Sequence, residues 1–103
     1  MSAVKKNLSF IKLLFTADAG QRTVLLRTIS RSQSEALRQI VRNILEGGLV
    51  ISQPAVRELK RYSGDLRKLA NSKEKGRRGL CLKLKRAWPK VLKAVFPQLQ
   101  LLE

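Results

Sequence analysis

The chain has 103 residues, which is enough for one small domain and too few for two ordinary ones. A hydrophobic fraction of 44% indicates a folded core, while a single cysteine and the absence of histidine exclude an intrachain disulfide and the usual zinc sites. Lysine and arginine number 22 against seven acidic residues, a net charge of +15, which favours a polyanionic partner, with nucleic acid as the first candidate.

Two helices are predicted in the N-terminal third, at residues 3–15 and 18–29. The apolar residues of the first helix share one stripe at helical spacing, namely Val4, Leu8, Ile11, Leu14 and Phe15. The stretch TADAG separates the two helices, and Thr16 or Asp18 is expected to cap the second.

A third helix is predicted to begin with the stretch SQSE, where Ser32 and Glu35 have the spacing of a capping box. Its core face is predicted from the helical repeat of Ala36, Leu37, Ile40, Val41, Ile44 and Leu45. The glycine pair at 47–48 should end this helix. Ser52 and Pro54 then open a fourth helix, which is expected to run to Ala70.

The remaining chain is predicted to hold a flexible loop and two more helical segments. The loop is NSKEKGRRG, and the segment LCLKLKRAW after it is assigned as helix. Pro89 is expected to bend or end that helix at Trp88, and a last short helix should finish before Pro97. The prediction is therefore an all-α bundle of four to six short helices, with a core domain at 1–75 and a basic amphipathic segment at 76–103.

The fourth helix combines an apolar arc with a basic arc. On a helical wheel, Val56, Leu59, Tyr62, Leu66, Leu69 and Ala70 fall on one side. The opposite side carries five cations, which are Arg57, Lys60, Arg61, Arg67 and Lys68. Gly64 lies among these cations, where it either lets a phosphate approach closely or simply weakens the helix.

Basic residues continue beyond this helix. The predicted loop would supply a mobile clamp of Lys73, Lys75, Arg77 and Arg78. The positive surface then extends through Lys83, Lys85, Arg86, Lys90 and Lys93. Such a density of cations favours contacts to phosphates over the reading of bases.

The favoured function is therefore nonenzymatic binding of nucleic acid, with DNA as the expected partner and with no metal or cofactor. A helix-turn-helix reader is one alternative, in which Gln53, Arg57 and Lys60 would contact bases. A second is an anionic membrane surface bound by residues 80–96, with Trp88 and Phe96 at the interface. A protein adaptor, whose charge steers its partner, is a third, and self-association is a further expectation.

Part of the chain resembles a known group of proteins. The stretches EALRQIVRNILEG, LKRY and LRKLA, with a short apolar link and a Ser-led helix start between them, cover much of residues 22–75. They resemble small basic proteins encoded by Maverick/Polinton-type virus-like DNA elements and related animal DNA viruses. The resemblance implies a protein that condenses a DNA genome inside a particle.

The expected location is the nucleus or a virion. No apolar run approaches the roughly 18 residues that a membrane-spanning helix needs. The N-terminal stretch MSAVKKNLSFIKLLF is interpreted as a helix of the mature protein rather than as a signal peptide.

Overall fold

The computed structural model describes residues 1–102 and confirms the all-α prediction, with no strand in that range. The helices in chain order are α1 (Ser2–Lys6), α2 (Leu8–Thr16), α3 (Ala19–Arg27), α4 (Arg31–Leu45), α5 (Gln53–Leu59), α6 (Ser63–Ala70), α7 (Glu74–Lys83) and α8 (Trp88–Leu99). Short 3₁₀ turns cover Lys60–Tyr62 and Gln100–Leu102. The predicted C-terminal segment ends at Glu103, which lies outside the described residues.

The first predicted helix is divided into α1 and α2 by Asn7. The Asn7 side-chain amide donates hydrogen bonds to the carbonyl oxygen of Ala3 at 2.7 Å and to the hydroxyl of Ser32 at 2.9 Å. Asparagine readily bonds nearby backbone in this way and so competes with helix continuation. The predicted apolar stripe survives the break, because Val4, Ile11 and Leu14 are all fully buried.

Capping boxes start α3 and α4, and one of them differs from the prediction. Asp18 caps α3 as expected, in reciprocal bonds with Gln21. The box of α4 is formed by Ser30 and Gln33, so the predicted box of Ser32 and Glu35 is wrong. The stretch from Ser30 offers the same spacing two residues earlier, and the Glu35 carboxylate is engaged by arginines instead.

One hydrophobic core joins all parts of the described chain. Helix α4 packs against α1, α6 and α7, while α8 packs against α2 and α5. Trp88 is fully buried, and its indole N–H donates to the carbonyl oxygen of Cys81 at 2.8 Å. The core cluster runs from Ala3 to Leu99, so the C-terminal segment shares the core of the first 75 residues.

The predicted fourth helix is not continuous. Helix α5 ends at Leu59, the 3₁₀ turn follows, and α6 begins at Ser63. Tyr62, with φ −108° and ψ 5°, departs from helical geometry where serine and glycine, both weak helix formers, come next. The predicted core positions remain inside, since Leu59, Leu66 and Leu69 are buried.

Two predictions for the C-terminal third are wrong, and a third is correct only in part. The predicted break is present, because residues 71–73 lie outside helices and Lys75 and Gly76 have non-helical backbone angles. Arg77, Arg78 and Gly79, however, belong to α7 rather than to the expected loop. Pro89 opens α8 rather than ending a helix, since a first-turn proline sacrifices no hydrogen bond. Pro97 lies inside α8, which continues to Leu99 because its apolar face remains buried on both sides of the proline.

Candidate nucleic-acid interface

The strongest candidate surface is the basic side of α5, the 3₁₀ turn and α6. All five predicted cations of this stretch are exposed: Arg57, Lys60, Arg61, Arg67 and Lys68. Within the described part of the chain, none of them has a carboxylate within 4.0 Å. Buried leucines on the opposite side fix the backbone, so these charges are held on an ordered element and remain available to an external anion. We call these five residues the basic face.

Gly64 lies within the basic face and leaves it locally without a side chain. It is exposed, and a Cβ added there would meet no atom within 4 Å. The surrounding space is therefore open enough for an external group to reach the backbone. The same openness means that nothing in the described fold requires glycine at this position.

Two contacts connect the basic face with cations of α7 and α8. The Lys83 ammonium lies 3.4 Å from the Asp65 carboxylate, and the Lys90 ammonium lies 5.9 Å from the centre of the Tyr62 ring. Tyr62 and Asp65 are three residues apart and so share one edge of the helical segment. Lys93 lines a groove with Glu58 beside the same edge. Lys83, Lys90 and Lys93 thereby border the helical segment that carries the basic face.

The cations near the ends of α7 are exposed, and only part of the predicted clamp is helical. Lys73, Lys75 and Arg78 lie at the start of α7, and Lys85 and Arg86 lie in its connection to α8. A shallow groove at the start of α7 is lined by Glu74, Lys75, Gly76, Arg78 and Gly79. Arg78 therefore belongs to a helix packed on the core, whereas Lys73, Lys75, Lys85 and Arg86 lie at the two ends of that helix, outside its regular turns.

Arg77 does not belong to the exposed surface, which corrects the prediction for this residue. It is only 8% exposed. Its guanidinium donates to the Glu35 carboxylate at 3.0 Å and to the carbonyl oxygen of Ser72 at 3.1 Å. Arg77 lies on the side of α7 that packs against α4, so its charge is committed to an internal partner.

Glu35 is the residue whose role the sequence did not reveal. Its carboxylate accepts from Arg38 at 2.5 Å as well as from Arg77. Arg38 in turn donates to the carbonyl oxygen of Ala70 at the end of α6. Glu35 thus links α4 to α7 and, through Arg38, to α6. One signal for this role was present in the sequence, since Glu35 comes directly before the buried stripe of α4. The same position also fits a capping box, which is the role that the spacing predicts.

Two of the alternatives, the helix-turn-helix and the membrane surface, fit the structure less well. Residues 46–52 separate α4 from α5, which is longer than the three or four residues of a helix-turn-helix. Trp88 is fully buried, and Phe96 stacks on Phe15 with ring centres 4.8 Å apart. The aromatic rings that a membrane interface would use are therefore engaged within the fold. No helix within residues 1–102 combines the length and the hydrophobicity that crossing a bilayer requires.

Cys81 is fully buried and remains a thiol at neutral pH. Burial raises its pKa from 9.0 to about 12, against a smaller lowering effect of the nearby Arg77 charge. A protonated, inaccessible thiol is a poor nucleophile. Its place in the fold is that of a small apolar side chain, as predicted.

Comparison with known protein families, curated proteins and solved structures finds no match to this chain. The resemblance to proteins of Maverick/Polinton-type elements therefore stays a prediction.

Proposed function

We propose that this protein binds nucleic acid, with DNA as the expected partner, by neutralising phosphates and without catalysing a reaction. The observation that carries the proposal is the basic face, whose five cations are exposed, lack carboxylate partners among the described residues and are held on helices fixed to the core. Bordering cations on α7 and α8 would extend the contact.

The size and charge of the molecule suit such a role. The molecule measures 32 × 30 × 26 Å. Duplex DNA carries one charge for about each 1.7 Å of its axis, so a 30 Å length presents roughly 18 phosphate charges. A domain of +15 nearly balances the duplex length that it can cover. This match favours a condensing protein in a nucleus or a virion, which is also what the resemblance implies.

Weak sequence selectivity follows from where the cations lie rather than from their chemical type. Lysine and arginine on a helical exterior contact phosphates at any sequence, whereas base reading needs a helix or strand seated in a groove. Helix α5 has only seven residues, so it is a short element to insert into a groove and read bases. Affinity should therefore depend on salt far more than on sequence.

The test is the salt dependence of binding to two unrelated duplexes. Replacing all five basic-face residues by glutamine should flatten the plot of log affinity against log salt by about 0.9 for each phosphate that the variant no longer neutralises. The matched control replaces five other exposed cations, Lys5, Lys6, Lys12, Arg27 and Arg42, by glutamine and so removes the same charge.

The control should change the slope much less than the basic-face variant, with both proteins folded by circular dichroism. Equal slopes in the two variants would show that only total charge matters and would contradict a defined interface. A loss of affinity confined to one of the duplexes would instead support base reading from α5.

A further inference from the structure

An apolar groove lies beside the basic face and is not explained by phosphate binding. It runs between the end of α4 and the segment of α5 and α6, with a volume of about 320 Å³. Its lining residues are Ile44, Leu45, Ile51, Val56, Leu59, Lys60, Ser63, Leu66 and Arg67. Six of the nine are aliphatic: five belong to α4, α5 and α6, and the sixth is Ile51 in the connection between α4 and α5. The floor of the groove is therefore apolar and preformed.

Two features of the groove restrict what could occupy it. Leu45 is 47% exposed at the wall, although a large apolar side chain at the end of a helix gains from being covered. The charged lining groups are Lys60 and Arg67, and no carboxylate of the described chain lines the groove. An occupant should therefore be apolar on one side and anionic at its margin.

The groove is open to solvent, which helps to decide between a fatty acid, an amphipathic helix and a second copy of the chain as its occupant. A fatty acid needs most of its surface enclosed. An amphipathic helix needs only one apolar face covered and keeps its polar face in water. A second copy of this chain would bring more positive charge to a rim that is already positive, because each copy carries +15.

We propose that this groove docks an acidic amphipathic helix of a partner protein. The apolar residues of that helix would cover Leu45 and the floor, and its carboxylates would pair with Lys60 and Arg67. These two cations also belong to the basic face, so the peptide and DNA would compete for them. The apolar floor of the groove has no part in the phosphate contacts, so helix docking could occur whether or not the protein binds nucleic acid.

The probe is a fluorescein-labelled peptide of about 16 residues, the length at which an isolated helix becomes marginally stable. It carries leucine at helix-spaced positions and glutamate at most others. A scrambled peptide of the same composition is the first control, because it keeps the charge and loses the apolar face. Binding is followed by fluorescence anisotropy.

Leu45→Asn tests the groove without changing the charge. It should weaken peptide binding about tenfold, as expected for losing one well-covered leucine, and should leave DNA affinity unchanged. Leu13→Asn is the matched control, since Leu13 is 54% exposed on α2, away from the groove. Thermal melting confirms that both variants are folded.

The proposal is supported if the patterned peptide binds more tightly than the scrambled one and only Leu45→Asn weakens it. Equal affinity for the two peptides, no binding of either, or an unaffected Leu45→Asn protein would overturn it. Dodecanoate binding without peptide binding would assign the groove to a lipid anion. A dimer that dissociates on Leu45→Asn would assign it to a second copy, and either result would also overturn the proposal.

Discussion

The Glu35 network makes a sharp prediction about stability. Glu35→Gln keeps the shape of the side chain but removes the charge that faces Arg38 and Arg77. The Arg77 side chain is only 10% exposed, so its guanidinium would lose its carboxylate in a place where water replaces it poorly. Two charge-assisted hydrogen bonds are weakened together.

The pair of Glu35 and Arg77 is only partly buried, so its loss should cost less than the loss of a fully buried ion pair. The free energy of unfolding should fall by about 2–3 kcal/mol. For a domain of this size, that corresponds to a melting temperature lowered by about 10–20 °C. The assay is thermal and urea unfolding followed by the fluorescence of Trp88, which is buried in the core.

Glu46→Gln is the matched control. Glu46 also pairs with an arginine of α4, Arg42, but both side chains are more than half exposed. An exposed pair of this kind contributes at most about 0.5 kcal/mol. Both variants change the net charge equally. Equal melting temperatures for the two variants would show that the Glu35 network contributes no more than a surface pair and would refute the reasoning.

Three further predictions concern α7. Gly76 has φ +87°, so Gly76→Ala should lower the free energy of unfolding by about 1 kcal/mol, as measured by urea unfolding. Gly79→Ala is the control, because it adds the same methyl group at a position without positive φ, and it should be neutral or stabilising. Because the pKa of Cys81 is raised to about 12, iodoacetamide at pH 8 should label it far more slowly in the folded protein than in guanidinium chloride; equal rates would place the thiol at the surface. Because the thiol ionises more readily in the unfolded chain, Cys81 does not change the stability below about pH 9 and lowers it progressively between about pH 9 and pH 12. Cys81→Ala should remove this contribution to the loss of stability at high pH.

Local signals in the sequence predicted most helix boundaries of the N-terminal half. Asp18 caps α3, Ser52 caps α5, and Gly47 adopts φ +82° just after α4. Each of these depends on residues within one helical turn. The apolar stripe of α4 was also correct, because Leu37 and Ile40 are fully buried.

The burial of Arg77 could not be predicted in the same way. Its partner Glu35 is 42 positions earlier in the chain, and nothing near Arg77 distinguishes it from Arg78, which is exposed. Arg77 is therefore absent from the exposed interface that the sequence predicted. The division of the fourth helix was not predicted either, because the apolar spacing continues across the 3₁₀ turn and the weak helix formers Ser63 and Gly64 were its only local signal.

Three of the seven acidic residues of this chain form ion pairs that connect α7 to α4 or α6. Helix α7 also packs through its side chains, because Arg77 and Cys81 are buried and Leu80 and Leu82 are partly buried against the core. Glu35 of α4 pairs with Arg77, Asp65 of α6 pairs with Lys83, and the Glu74 carboxylate of α7 pairs with Arg31 of α4.

In a chain of +15, the partly buried pair of Glu35 and Arg77 helps to hold a strongly basic helix on the core, whereas the two more exposed pairs contribute little, and the other cations of α7 stay exposed. A disordered basic tail could carry the same charge, but ordering it on DNA would cost conformational entropy. Because α7 is packed beside α6, its exposed cations would be presented to DNA without that cost. The apolar residues that interrupt the basic sequence and the carboxylates around α7 therefore serve the same end, which is to present positive charge on an ordered surface.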